Sequence, residues 1–121
     1  MQNNKVFIND QGIIEICVIG DQTVDSVQAM GDRTFELADA QKTAGNRVLV
    51  LDNLLQMGSV PAEARKRVVD LVKSNEYEKL AMLGADRVLR FGANLILQAT
   101  GKGTRVKYFE DRQKCLAWLL S

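Results

Sequence analysis

Apolar positions along the chain change period several times, and each change marks an element. Two short apolar runs, Val6 to Ile8 and Ile13 to Ile19, flank Asn9-Asp10-Gln11-Gly12. A polar turn ending in glycine between β-prone runs predicts a hairpin. The second run, IIEICVI, is apolar almost throughout, which predicts a strand covered on both faces. From about Thr23 to Ala44 the spacing becomes three and four, through Val27, Met30, Thr34, Leu37, Ala38 and Gln41, with Asp32, Arg33, Glu36 and Asp39 on the other side. That is an amphipathic helix, capped by Asp25 or Thr23 and ended by Gly45-Asn46. Gly31 inside it allows close packing against a sheet.

Val48 to Asp52 is a continuous apolar run ending in an acid, the pattern of a central parallel strand, and NLLQMGSV reads as the loop after it. Pro61 opens a helix to about Ser74, with Ala64, Val68, Leu71 and Val72 inward and Arg65, Lys66, Arg67, Asp70 and Lys73 outward. Lys79 to Leu83 is a third core strand, closed by Gly84. Asp86 is placed to cap a helix from Arg87 to about Thr100, and Gly101 to stop it. Arg105 to Phe109 is the last strand. Asp111 to Leu120 is the last helix, with Leu116, Trp118, Leu119 and Leu120 facing inward. A hairpin followed by alternating strands and helices predicts right-handed crossovers. The fold class is α/β: one domain over residues 1–121, a mostly parallel five-stranded sheet with an N-terminal β-hairpin and four helices.

Composition narrows the function more by exclusion than by indication. The 121 residues include no histidine, which removes Ser-His-Asp and Cys-His nucleophile activation and every His-containing zinc site. Cys17 and Cys115 are isolated within apolar stretches and read as buried reduced thiols, as a cytoplasmic location implies. The start, MQNNKVFIND, has no basic stretch followed by an apolar run, so no secretory signal is expected. No segment reaches the roughly 20 apolar residues of a membrane-spanning helix. Charge is uneven, with four basic against nine acidic residues up to position 64 and twelve against six thereafter. Such asymmetry suits either an anionic partner or helix faces that differ in sign. Only seven aromatics are present and none interleaves with the basic 65–67 patch, which argues against nucleic-acid binding.

Four features carry candidate chemistry. Asp52 and Asn53 fall where an open α/β sheet places ligand groups, and Asp86, Glu110 and Asp111 would share that rim. A carboxylate cluster there would bind Mg²⁺ or a sugar and support a hydrolase; as separate residues, Asp86 and Asp111 are helix caps and Asp52 orders its loop. Ser59, just before Pro61, is either a helix cap or a phosphorylation point favoured by a helix N-terminus. Gly101-Lys102-Gly103-Thr104 leaves a helix and enters a strand, the reverse of a phosphate loop. The segment RVLRFGANLILQAT, 87–100, is apolar over most of its circumference, with Arg87 and Arg90 its only charges. A helix of this kind is buried on several sides, or covers an apolar ligand, or meets a partner, a second copy or a membrane surface through Phe91 and Leu95.

The strings VLVLDNLLQMG, YEKLAMLGADRVLRFGANLILQATGKG and VKYFEDRQKCLAWLL, in this order after a hairpin, resemble the SpoIIAA-like (STAS-like) superfamily, and most of all its small bacterial proteins of unknown function. The likeness covers residues 45–121, with Asp52, Ala81 through Gly84, and Phe109 with Ala117-Trp118-Leu119 at the matching positions. It implies a non-enzymatic module, without cofactor, that works by docking a protein partner or a second copy. Some relatives resemble lipid-binding domains, which implies an apolar small molecule or lipid and at most peripheral membrane contact. In the anti-sigma-factor antagonists the regulatory serine lies in an Asp-Ser-Ser-Gly string; Gly58-Ser59-Val60-Pro61 stands in that region here.

Overall fold

The computed structural model describes residues 3–85 and 105–121. The elements among them are β1 (Lys5–Ile8), β2 (Ile14–Gly20), α1 (Val24–Thr43), β3 (Leu49–Met57), α2 (Ala62–Ser74), β4 (Lys79–Leu83), β5 (Val106–Phe109) and α3 (Arg112–Leu120). The five strands form one sheet in the order β1-β2-β3-β4-β5. β1 runs antiparallel to β2, and the other three pairings are parallel. The sheet is therefore mixed rather than mostly parallel, because the hairpin supplies a whole edge. Three helices are described where four were expected; the segment 87–100 lies outside the described residues.

Local chemistry explains most element ends. The hairpin turn is held by Asn9, whose side-chain oxygen accepts from the backbone N–H of Gln11 and Ile13 at 3.0 and 3.1 Å. Thr23, not Asp25, caps α1, and Ser26 returns the bond to the Thr23 N–H, a reciprocal capping box. Asp111 caps α3 by accepting from Gln113 and Lys114.

Alternation along the strands gives the sheet two covered faces. On one, Ile13, Leu49, Leu51, Ala81 and Leu83 pack against Cys115 and Leu119 of α3. Phe109 and Trp118 stack beside them, ring centres 5.8 Å apart, and Lys79 caps α3 by donating to the Trp118 carbonyl at 2.8 Å. Leu120, expected inside, is exposed because α3 turns that side to solvent. On the other face, Ile14, Val18, Val50, Leu54, Leu80, Met82 and Val106 pack beneath α1.

α2 departs from the expected pattern. It rests chiefly on α1 and meets the apolar cluster of the sheet through Val72. Only Ala64 of α2 is buried; Val68, Leu71 and Val72 are half-buried. Gly31 makes its close approach to this helix rather than to the sheet, since a β-carbon there would come within 2.7 Å of Leu71. None of the three described helices is long and apolar enough to cross a membrane.

Candidate functional site

β3 is longer than the sequence pattern indicates. It continues from Leu49 to Met57, so NLLQM is strand and not loop. Asp52 consequently sits in mid-strand rather than at a strand end, and Asn53 projects to the opposite face. The two cannot share a rim, because neighbours on a strand alternate sides. Among the described residues no group of three or more His, Cys, Asp or Glu side chains is placed to hold a metal ion. Asp86, Arg87, Arg90, Phe91 and Leu95 lie outside the described residues.

The register puts Asp52 in a row across the sheet: Val6 opposite Ile16, Ile16 opposite Asp52, Asp52 opposite Met82, and Met82 opposite Tyr108. An acid thus occupies the middle of an apolar row on the face below α1 and α2. Between these helices and the strands an open-sided cavity of about 140 Å³ remains. Ile16, Val50 and Met82 line it from the sheet, and Met30, Val68 and Leu71 from the helices. Arg65, expected to point outward, is half-buried and also lines it. Asp52 forms part of the wall. Its Oδ1 atom is buried and has no hydrogen-bond partner among the described residues. Burial pushes its pKa up to about 7. The Tyr108 hydroxyl, on the same face, is likewise buried without a hydrogen-bond partner among the described residues.

The second acid of the sheet is treated differently. Glu15, in the middle of IIEICVI, points to the α3 face and is only 4% exposed. Arg112 of α3 donates to both its carboxylate oxygens, at 3.1 and 2.7 Å, and the Asn9 amide donates at 3.1 Å. The Asn53 side chain, on the same face, also favours the ionised form. Burial pushes the Glu15 carboxyl up, but these bonds and the guanidinium charge outweigh it, leaving its pKa below the ordinary value. The Cys17 thiol, 3.8 Å from Glu15 Oε2, is pushed up by burial and by that carboxylate. Burial raises Cys115 to about 11, so both free thiols stay protonated at neutral pH.

Ser59 is exposed and does not cap α2; Pro61 occupies the cap position, without a side-chain bond. Its backbone instead joins the ends of β2 and β3. Ser59 N donates to Asp21 Oδ1 at 2.9 Å, and its carbonyl accepts from Gln22 N at 2.9 Å. The Ser59 hydrogen bonds hold the Asp21 carboxyl below its ordinary pKa. Gly58 has to be glycine here, since a β-carbon would collide with Asp21.

Sequence reasoning singled out Asp52 but missed Tyr108 and the Glu15–Arg112 pair. The available signal for the pair was the lone acid inside an apolar strand, which calls for a charge partner from elsewhere in the chain.

No family model matches the chain, and no curated protein matches it. Among solved structures, the chain is similar to an uncharacterised protein of the DUF3478 family with a SpoIIAA-like fold from Shewanella loihica PV-4. The two share 17% identity with a TM-score of 0.70, over 98% of this chain and 95% of that one. The chain has a SpoIIAA-like fold, as the strings of its C-terminal two-thirds imply.

Proposed function

We propose that this protein is a non-catalytic SpoIIAA-like binding module that holds a small apolar ligand between its sheet and the α1–α2 pair. The cavity beneath α2 carries this reading. It is a concave, open-sided and largely apolar space with a few polar groups in its wall, the usual form of a small-molecule site. An apolar space of comparable volume is enough to hold a benzene-sized molecule.

Residues on the floor and roof of the cavity report occupancy directly. Titration with indole or toluene, followed by amide NMR, should shift Val50, Met82 and Leu71 while leaving Ala81 and Leu119 on the other face in place. Native mass spectrometry of the purified chain would show any ligand it retains. Shifts spread evenly over both faces, or no shifts at all, would remove this reading.

A further inference from the structure

We infer that Asp52 is the polar anchor of the cavity, and that the ligand it selects is an apolar molecule carrying one hydrogen-bond donor, such as a hydroxyl or an amine. This rests on the proposed binding role and names the class of ligand. Three observations converge on it. Asp52 lies in the wall of the cavity, in mid-strand, where an apolar residue would pack better. Its Oδ1 is buried without a hydrogen-bond partner among the described residues. Nearly all buried polar atoms find a partner, so an acceptor left open beside an empty space points to a donor that arrives with the occupant. The other acid of the same sheet, Glu15, shows how this fold treats a carboxylate it must satisfy internally: a guanidinium and two amides surround it.

The chemistry of the wall sets the head group. Once ionised, the Asp52 carboxyl accepts hydrogen bonds and repels anions, so a fatty acid or aryl acid would bring a second negative charge to it. A hydroxyl donates to the ionised acid, and a protonated amine adds charge compensation. The rest of such a ligand must be small and apolar, to match the Ile16, Val50, Met82 and Leu71 surfaces. Arg65 also lines the cavity, which makes an anionic head group the competing possibility.

The test is a panel of four probes of similar size: benzyl alcohol, benzylamine, toluene and benzoate. They are titrated into the parent protein and Asp52→Asn at about pH 8.5, where Asp52 is ionised and benzylamine still largely protonated, and followed by NMR at Ile16 and Met82. Benzyl alcohol or benzylamine should bind at least tenfold more tightly than toluene. In Asp52→Asn the benzylamine advantage should fall below threefold with toluene unchanged. Toluene binding as tightly as both donors, or benzoate binding best, would overturn the assignment while leaving the cavity as a binding site. Failure of all four probes would instead remove the binding role itself. The parent panel decides the matter even if Asp52→Asn folds poorly.

Discussion

The two faces of the sheet each carry one acid with buried carboxyl atoms, and they do opposite things with it. On the α3 face, Glu15 is enclosed and fully engaged, with Arg112 reaching in from the helix that covers it. On the α1–α2 face, Asp52 is one strand over, opposite Ile16, and its buried oxygen meets a cavity. The difference lies in the covering helices. α3 lies directly on the strands and brings both apolar contacts and a cation, whereas α2 leans on α1 and leaves space below. The same sheet therefore has one closely packed side and one side with a cavity.

Core truncation should separate the two sides most clearly. Leu119 is fully buried against β3 and β4, so Leu119→Ala should cost about 3 kcal/mol. Leu71 is half-buried beside an existing void, so Leu71→Ala should cost roughly 1 kcal/mol. Urea denaturation measures both. Equal losses would mean that α2 is as firmly seated as α3.

The next largest effect is in pH dependence, and it has opposite signs for the two acids. For Asp52 the folded-state pKa of about 7 exceeds the unfolded value of 3.8. Below pH 3.8 both states hold the proton and nothing is lost. Between 3.8 and 7 the unfolded chain ionises first, so stability falls as pH rises through that window. Asp52→Asn should remove that decline. Arg65, Glu76 and Tyr77 line the same cavity and Tyr108 shares the face, so the parent and variant curves must be compared directly. Glu15 has a lowered pKa and contributes stability above its unfolded value, lost as pH falls through the folded one. Glu15→Gln should therefore weaken the fold at pH 7 and matter least in acid. A pH–stability curve unchanged by Asp52→Asn would contradict the burial of its carboxyl.

Arg112→Ala sharpens the same contrast by making Glu15 resemble Asp52. Arg112 is itself nearly half exposed, so after solvent screening the loss should be about 2 kcal/mol, with the Glu15 carboxyl moving upward. A carbon-13 titration of Glu15 in the variant reads this. The smallest effect belongs to the β2–β3 end. Ser59→Glu places a second negative charge beside Asp21, which should lower the melting temperature slightly, and Asp21→Asn should restore it. A Ser59→Glu protein as stable as the parent would show that the clasp tolerates a charge there.

What could be read in the sequence was what is local. The Asn9 to Gly12 turn, the Thr23 cap and the Asp111 cap are each decided by residues within a few positions, and each is found in place. The SpoIIAA-like fold was legible from the ordered strings of the C-terminal part. The site was not, because its geometry is long-range. Asp52-Asn53 looked like the polar end of an apolar run, yet β3 continues through both, with one residue serving each face. The Ile16–Asp52–Met82–Tyr108 row exists only through the register of four strands. The α2 pattern correctly marked an apolar side, but periodicity does not say whether that side meets a sheet, a neighbouring helix or a cavity. The 87–100 segment, whose apolar residues cover most of a helical circumference, lies outside the described residues.

The central claim, that one sheet satisfies one buried acid internally and leaves the other open to a cavity, is tested most directly by titrating both side-chain carboxyls in a single sample. Carbon-13 NMR of Asp52 and Glu15 in the parent protein should give a midpoint near 7 for Asp52 and one below 4.5 for Glu15. Two midpoints together near 4 would mean that Asp52 is solvated and that the two faces do not differ.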